Sequence, residues 1–354
     1  GIIHTGIGPF DIKKGSDLMY GKVDWNKSAF RVGFFANFLS ADSSNLVSVG
    51  TDGQPLGFKF NTDTYNLDAS NTTVAGAHNI FTYGANYRDS KFDLEIAPDG
   101  TKKQEWGVFL QDEILLGDKV RWVIGGRYDD IDPIDGVFTP RTSLLFAPNT
   151  HHTFRVSYNE AFRSPSAINS YLDATILVSA LQLPAHANGN VDLVEEHLTA
   201  YEVGYVGSFD NGITMSVAAY RNKTKDSIDF YNSRYYGPGN LPPIPPPLLF
   251  CFLFAPGTGP AACPNRGLAG LIPSDFSYRN IGETTDQGIE LTFQQRVGTA
   301  WSWFVNGSWQ DKPTFKGIDD AATSQNRPPE YRANLGLSFD NGGFFVNTNV
   351  NYQD

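Results

Sequence analysis

The side chains best suited to binding chemistry are concentrated between residues 227 and 279. Aromatic residues lie on both sides of the proline-rich run 241–247, and they are Tyr231, Tyr235, Tyr236, Phe250, Phe252 and Phe254. Aromatic side chains in an exposed segment usually bind a ligand or another surface, or they pack against one another. Ligand binding and self-packing are therefore both open interpretations of this segment.

The same segment holds the two cysteines of the chain, Cys251 and Cys263, twelve positions apart. No histidine or further cysteine lies close by, which disfavours a metal site. We predict neither a metal ion nor a bound cofactor. In an external, oxidising compartment the two thiols are expected to form a disulfide, which would stabilise a loop of this size by roughly 3 kcal/mol.

Other polar clusters do not form a catalytic or metal-binding pattern. His151 and His152 are adjacent, and adjacent side chains of a strand point to opposite faces. The acidic segment 129–135 lacks the spacing and terminal glutamate of an EF-hand, which favours a solvated loop over a calcium site. The sequence has no Gly-x-Ser-x-Gly elbow, phosphate loop or His-Glu-x-x-His motif, and we predict that the protein is not an enzyme.

The composition limits the elements that can position these residues. Hydrophobic residues make up 40% and aromatic residues 14% of the 354 residues, yet no apolar run approaches the roughly 20 residues of a membrane helix. The net charge of −11 and the lack of an evident basic cluster argue against a nucleic-acid partner. No signal peptide is visible in residues 1–10, and we interpret both ends of the chain as cut edges of a longer protein.

Alternation of apolar and polar residues is the dominant pattern along the chain. In residues 331–340, Tyr331, Leu335 and Phe339 alternate with polar or small residues, and the pattern resumes after the turn at residues 341–343. Such alternation predicts strands of about ten residues with one apolar and one hydrated face. No segment shows convincing helical periodicity. About fourteen strands are predicted, near residues 15–25, 29–40, 57–66, 78–90, 104–116, 119–130, 138–147, 151–161, 198–209, 213–226, 280–296, 300–312, 330–340 and 343–353.

Short and long connections alternate between these predicted strands. Turn residues such as Gly117-Asp118 and Asn341-Gly342 mark short connections, whereas residues 41–56, 91–103, 131–137, 162–197, 227–279 and 313–329 form long ones. Residues 67–77 are expected to be a longer member of the short class. Brief turns on one side and long loops on the other are typical of outer-membrane β-barrels, whereas a soluble sandwich, which shares the alternation, has no reason to keep this asymmetry.

The alternation also predicts which side chains face lipid. The predicted lipid-facing residues are Val120, Trp122, Ile124, Tyr128, Phe154, Val156, Tyr158, Ile213, Met215, Val217, Ala219, Trp301, Trp303, Val305 and Trp309. Aromatic residues near strand ends, including Tyr128, Tyr158, Trp309 and Tyr352, suit a membrane interface. The fold class predicted from these patterns is an all-β, antiparallel transmembrane barrel.

Several phrases resemble the TonB-dependent outer-membrane receptor family. Residues 155–166 end in Phe162-Arg163-Ser164-Pro165-Ser166, which is similar to the family's strand followed by FRxPS. Residues 190–204 are similar to its N-x-x-L-x-x-E segment followed by a YE-[VL]-G strand. Residues 125–128 and 287–291 resemble the family as well. The resemblance covers essentially the whole chain, residues 1–354, as barrel, with the plug domain, the TonB box and the last strands missing.

The resemblance implies an outer-membrane transporter of a Gram-negative bacterium, of which this chain supplies about fourteen of about 22 strands. It implies a bulky, scarce nutrient as ligand, most commonly a ferric siderophore, and energy coupling through TonB–ExbB–ExbD by way of the missing plug. Because external loops form the ligand vestibule in this family, it also implies substrate contacts at the six aromatic residues of segment 227–279. Outer-membrane lipid is the further partner expected.

Two other functions are compatible with the sequence. A passive porin would share the strand pattern without energy coupling. A soluble β-rich binding protein would share the alternation but turn its apolar face inward.

Overall fold

The computed structural model describes residues 1–178, 182–253, 267–317 and 328–354, and within them the chain forms one sheet of nineteen strands together with two short helices. Fourteen of these strands follow one another as an antiparallel meander. They are β3 (Asp17–Lys27), β4 (Phe30–Val49), β5 (Pro55–Ala75), β6 (Asn79–Leu94), β7 (Lys102–Leu116), β8 (Val120–Ile131), β9 (Ile134–Asn149), β10 (His152–Arg163), β13 (Glu196–Ser208), β14 (Ile213–Tyr235), β15 (Pro273–Val297), β16 (Trp301–Gln310), β18 (Tyr331–Asp340) and β19 (Phe345–Gln353).

The remaining elements are short. Two hairpins, one small strand and two helices make up this group: β1 (Ile2–Thr5), β2 (Gly8–Ile12), α1 (Ala167–Tyr171), β11 (Asp173–Val178), β12 (Leu183–Asn188), α2 (Pro246–Leu253) and β17 (Thr314–Lys316). Apart from the N-terminal hairpin β1–β2, they all lie within the long connections of the meander. No helix in the described ranges is both long and apolar enough to span a bilayer.

The predicted all-β class is confirmed, and each of the fourteen predicted strands has its counterpart in the meander. Several boundaries were wrong because strands run further than the alternation indicated. Residues 67–77, predicted as a connection, belong mostly to β5, which continues to Ala75. Within segment 227–279, β14 extends to Tyr235 and β15 begins at Pro273, so only the part between them is a loop.

The cross-strand register places apolar residues of neighbouring strands in common rows. Val156 pairs with Val203, Val203 with Ala219, and Ala219 with Ile289. One residue further along, Ser157 pairs with Glu202, and Glu202 with Tyr220. We call the first side of the sheet the apolar face and the second the polar face. All the side chains predicted to face lipid on β10, β14 and β16 share the apolar face by this register.

We call the fourteen-stranded meander the wall, and its polar face carries paired charges. Arg127 Nε donates to Asp129 Oδ2 at 2.7 Å, and Asp129 is only 6% exposed. A side chain at Gly107, which pairs with Asp129, would meet the ends of the Asp129 and Arg127 side chains. Replacing this glycine would therefore force the ion pair to shift. The acidic segment predicted as a solvated loop begins, in the structure, with a buried strand carboxylate.

The main hydrophobic core lies at the end of the sheet that carries the long connections. It joins the N-terminal hairpin (Ile7, Phe10), the extensions of β4 and β5 (Ala41, Phe58, Phe60) and the elements that follow α1. The remaining members come from the end of β6 and the segment after it, from residues 172–193 and from β15, and they are Leu94, Ile96, Ala97, Leu172, Ala174, Ile176, Ala185, Ala187, Leu193 and Tyr278. The long connections thus form a folded layer across this end of the sheet.

The two faces of the sheet should differ in their tolerance of charge. Val217 lies on the apolar face between Tyr205 and Leu291, and its neighbour Ser216 lies on the polar face. If the apolar face contacts lipid, Val217→Arg should lower the free energy of unfolding by roughly 2 to 4 kcal/mol, because a cation near the bilayer midplane loses its hydration. Ser216→Arg is the matched control and should be tolerated. Denaturant titration in lipid vesicles measures both, and equal losses would contradict the assignment of the faces.

Candidate ligand site at the end with the long connections

The segment between β10 and β13 is closed at its base by an ion pair. Arg163 ends β10, Glu196 begins β13, and the two residues are direct cross-strand partners. Arg163 Nε donates to Glu196 Oε2, and the other carboxylate oxygen of Glu196 accepts from the backbone N–H of Ile228 at 2.6 Å. One carboxylate therefore ties together β10, β13 and β14 at the point where the wall ends.

A second set of hydrogen bonds fixes the chain that returns to β13. The side-chain amide of Asn190 donates to the carbonyl of Tyr278 at 2.9 Å. Asn280 accepts from the Val194 N–H at 3.0 Å and donates to the carbonyls of Val194 and Asp226 at 2.9 and 2.7 Å. Leu193 lies between these contacts and is 4% exposed. The Asn190, Leu193 and Glu196 side chains thus each attach this segment to the sheet.

The start of the segment is held just as closely. Lys103 Nζ donates to Ser164 Oγ at 2.7 Å and to the Pro165 carbonyl at 3.1 Å. Ser166 caps α1, because its hydroxyl accepts from the Asn169 N–H at 3.1 Å while Asn169 Oδ1 accepts from the Ser166 N–H at 3.0 Å. This reciprocal capping pattern fixes the entry into a helix that is too short to be stable alone.

The hairpin β11–β12 then crosses the end of the sheet. At one side Leu177 of β11 pairs with Val49 of β4, and at the other side His186 of β12 pairs with Asp275 of β15 in a parallel bridge. The strand β2 pairs with β4 as well. These contacts connect two distant parts of the meander through a small sheet, which we call the roof (β1, β2, α1, β11 and β12).

A cavity of about 520 Å³ lies beneath the roof. Its apolar lining comes from Ile3, Phe58, Ile168 and Ile228, and its polar lining comes from His4, Thr5, Gly6, Arg163, Ser164, Ser166, Asn169 and Tyr278. This size and this mixture of surfaces fit a small-molecule site, in which apolar walls supply binding energy and a few polar groups orient the ligand. We call it the roof cavity.

Tyr278 forms one wall of the roof cavity. Its hydroxyl accepts from the Gly6 N–H at 3.2 Å, and burial raises the pKa of the phenol above its usual value. A side chain at Gly6 would come within 2.7 Å of both Tyr278 Oη and the ring of Phe230. The N-terminal hairpin can approach β14 and β15 so closely only because residue 6 is glycine.

The aromatic residues predicted to contact substrate separate into buried and exposed groups. Tyr236 and Phe252 are 6% and 0% exposed and form a second core with Leu183 and Ile272. Tyr231 lies under the Arg279 guanidinium, 4.2 Å from its ring centre. Tyr235 and Phe250 are 40% and 59% exposed. None of these five lines the roof cavity, and Phe254 lies outside the described residues.

The remaining sequence predictions have mixed outcomes. Cys263 lies outside the described residues, so the Cys251–Cys263 disulfide stays a prediction. His152 lies at the start of β10, where its Nδ1 is 2.8 Å from Tyr205 Oη. No group of three or more His, Cys, Asp or Glu residues in the described ranges is arranged to hold a metal ion.

The roof cavity itself was not predicted. The sequence patterns single out Arg163, Ser164 and Ser166 only as part of a family-like phrase, and they do not single out Asn169, Ile228 or Tyr278. The available signal was the pair of phrases at residues 162–166 and 190–196, because two such phrases at the ends of one connection indicate a structured loop. Nothing in the sequence placed the N-terminal hairpin beside them.

Comparisons with known proteins agree on one family. A family model described as "TonB dependent receptor-like, beta-barrel" matches residues 11–354. Heme/hemopexin utilization protein C of Haemophilus influenzae is 24% identical over 279 residues, which cover 70% of this chain and 36% of that protein.

Solved structures show the same fold. The ferric enterobactin receptor PfeA of Pseudomonas aeruginosa, in a mutant form, aligns with a TM-score of 0.68 at 14% identity, covering 96% of this chain and 49% of the receptor. The FrpB iron transporter of Neisseria meningitidis aligns with a TM-score of 0.62 at 13% identity, covering 97% and 50%. The chain therefore spans about half the length of these structures, and its aligned part covers about a third of the length of the Haemophilus protein.

The base of the roof should loosen when the Glu196 carboxylate is neutralised. Glu196→Gln keeps the side-chain size but loses the charge that Arg163 contacts and weakens the bond to the Ile228 N–H, so residues 164–195 should be cleaved several-fold faster in limited proteolysis. Glu195→Gln is the matched control, because Glu195 makes no hydrogen bond or ion pair with the described part of the chain. If both variants are cleaved at the rate of the unmodified protein, the ion pair does not hold the roof.

Proposed function

This chain belongs to the TonB-dependent receptor family, whose β-barrel it matches over residues 11–354, and we propose that it is part of a receptor that imports a bulky iron chelate across the outer membrane of a Gram-negative bacterium. Proteins of this family are outer-membrane transporters and not enzymes. The activity, ligand and partners of the whole protein are inferred here from a chain that covers about half of its structural relatives.

The observation that carries this proposal is the roof cavity. It is closed on one side by the folded roof and lies at the end of the sheet with the long connections, where the ligand-binding loops of an outer-membrane receptor belong. Its volume of about 520 Å³ lies within the range of small-molecule sites, 300 to 1,000 Å³. A simple diffusion channel has no need of a hydrogen-bonded roof of this kind.

We propose an iron chelate, most simply a ferric siderophore, as the ligand. The related structures include a ferric enterobactin receptor and an iron transporter. The lining favours a ligand with apolar or aromatic surface and modest charge, because among the described lining residues Arg163 alone is permanently charged, and it is already paired with Glu196. The exposed Tyr235 and Phe250 are proposed to make the first contacts with the ligand outside the cavity.

Haem is the second candidate. It is favoured by the 24% identity with a heme/hemopexin utilization protein over 70% of this chain. Haem is a flat aromatic iron chelate of modest charge, so the lining described above suits it as well. Direct comparison of ligands decides between the two.

Filling the roof cavity should weaken ligand binding. His4 lines the cavity without forming a hydrogen bond or ion pair in the described ranges, so His4→Trp adds bulk without removing a contact. We expect at least about a tenfold loss of affinity, equivalent to about 1.4 kcal/mol, measured by tryptophan fluorescence titration with a ferric catecholate, a ferric hydroxamate and hemin.

The control for cavity filling is Lys14→Trp, which places the same side chain on the same N-terminal segment but outside the cavity. It should bind whichever ligand the unmodified protein binds. Unchanged binding by His4→Trp would exclude the roof cavity as the site, and no binding of any of the three chelates would exclude the proposed ligand class.

Energy coupling separates a receptor from a passive porin. We propose coupling to TonB–ExbB–ExbD, so accumulation of the radiolabelled ligand by cells should fall to background when the tonB gene is deleted, while surface binding persists. The control is a small sugar that enters through general porins and is indifferent to the deletion. Equal accumulation in both strains would favour the porin.

A further inference from the structure

Along β14, the side chains on the apolar face change abruptly from apolar to basic. From its first residue the outward side chains are Ile213, Met215, Val217 and Ala219, and their cross-strand neighbours are mostly apolar. The next three on the same face are Arg221, Lys223 and Lys225. Tyr201, beside Arg221, stacks obliquely on Tyr158 with ring centres 5.2 Å apart. An aromatic pair thus marks the boundary between the apolar rows and the cationic rows.

The position of this boundary corresponds to a membrane surface. Ten residues separate Ile213 from Lys223. At about 3.4 Å per residue and a strand tilt of about 40°, they rise by about 26 Å along the membrane normal. The apolar band of an outer-membrane barrel is about 25 Å tall, so the three cations lie at the height of the lipid headgroups.

A fourth cation extends the cluster to the next strand. Lys316 of β17 pairs in register with Glu283, which itself pairs with Lys225. Glu283 contacts Lys223 at 2.7 Å and Lys316 at 3.7 Å. We call Arg221, Lys223, Lys225 and Lys316 the basic patch. The basic patch is not evident as a cluster in the sequence, because its first three members alternate with uncharged residues and the fourth is remote in the chain.

Two cations of the basic patch make no direct ion pair within the described residues, although Lys225 lies opposite Glu283 in register and interacts with its charge at longer range. Arg221 and Lys225 are exposed and form neither a hydrogen bond nor an ion pair within the described ranges. Three carboxylates lie nearby on this face: Glu283; Glu160, which bonds to Tyr158 and His197; and Asp311, which bonds to Gln287 at 3.1 Å. Among the described residues the four cations of the patch therefore exceed the nearby carboxylates by one charge, on a protein whose net charge is −11.

The opposite sector of the same face does not carry this excess. Above the aromatic residues Tyr87 and Trp106, the outward residues of β5 to β8 include two lysines and three acids. These residues are Lys91, Lys102, Asp63, Asp89 and Asp130. Lys91 pairs in register with Asp63, and Lys102 contacts Asp89 at 3.6 Å. The positive excess is thus a property of the β14–β15–β17 sector.

We propose that the basic patch is a docking surface for a phosphate-bearing lipid headgroup of the surrounding leaflet. Arg221 and Lys225, which make no direct ion pair in the described ranges, contact the phosphate, and Tyr158 and Tyr201 pack against the upper part of the acyl chains. Charge complementarity, the height of the patch and the aromatic boundary beneath it favour a membrane lipid over a soluble anion. This rests on the membrane location in the proposed function, but not on the identity of the transported ligand.

The test compares the affinity of two lipids for the detergent-solubilised protein by native mass spectrometry. Dioleoyl phosphatidic acid should bind more tightly than dioleoyl phosphatidylcholine. Because each basic residue near a membrane surface is worth about a fivefold change in binding, Arg221→Gln combined with Lys225→Gln should weaken phosphatidic acid binding by roughly 25-fold. Binding to the unmodified protein should also weaken as salt increases.

The matched control is Lys91→Gln combined with Lys102→Gln, which removes two positive charges at the same height in the opposite sector. Its affinity for phosphatidic acid should change less than twofold. Equal losses in the two double variants, or equal binding of both lipids, would overturn the proposal. Displacement of phosphatidic acid by an equal concentration of inorganic phosphate would overturn it in favour of a soluble anion.

Folding and transport are measured separately from lipid binding. Both double variants should keep the heat-modifiable gel migration of a folded barrel, because their changes lie outside the apolar band. If the unmodified protein migrates as a folded barrel and shows no preference for phosphatidic acid, the lipid proposal fails while the membrane location stands. If the protein is soluble without detergent, the membrane location fails with it.

Discussion

Cross-strand hydrogen bonding is the constraint on which the rest of this structure depends. A segment that crosses lipid must satisfy every backbone donor and acceptor within the protein, and adjacent strands do so only while their register is kept. The register then fixes which face each side chain occupies, because the side-chain period is two. The rows Val156–Val203–Ala219–Ile289 and Ser157–Glu202–Tyr220 follow from that single condition. The ion pairs of the polar face and the cations above the apolar rows are placed by the same register.

The same register brings distant motifs into contact at the top of the wall. Arg163 and Glu196 are separated by a connection of more than thirty residues, yet they are cross-strand partners because β10 and β13 pair along their whole length. Their ion pair alone is worth little at an exposed position, where such pairs contribute about 1 kcal/mol or less. Its effect comes from the geometry: the Glu196 carboxylate also binds the Ile228 N–H at 2.6 Å. The roof is therefore attached at a point that three strands already hold in place.

The sequence predicts the wall well and the roof poorly, for a physical reason. Fourteen strands are recognisable because the alternation of residues within each strand reflects the environments of that strand's own two faces. The extensions of β14 and β15 were missed because Ile228, Phe230 and Tyr278 pack against the N-terminal hairpin and the roof, which lie far away in the sequence. Tyr236 and Phe252 looked the same in sequence as Tyr235 and Phe250, and only the fold of segment 227–279 separates buried from exposed. The contact between Gly6 and Tyr278 spans 272 positions, and no local pattern records it.

This division also explains why relatives with 13% to 14% identity share the fold with TM-scores of 0.62 to 0.68. The wall requires only that outward residues be apolar and inward residues polar, a condition that very many sequences satisfy. Ligand specificity requires particular side chains, and in this chain the particular contacts are concentrated in the roof and beside it. They include the approach of Gly6 to Tyr278, the cap of α1 at Ser166 and the hydrogen bonds of Asn280 to Val194. Two proteins with the same wall can therefore differ in what they bind. Under the proposed function, ligand identity depends on the residues beneath the roof, because the strand pattern that assigns the family carries no information about it.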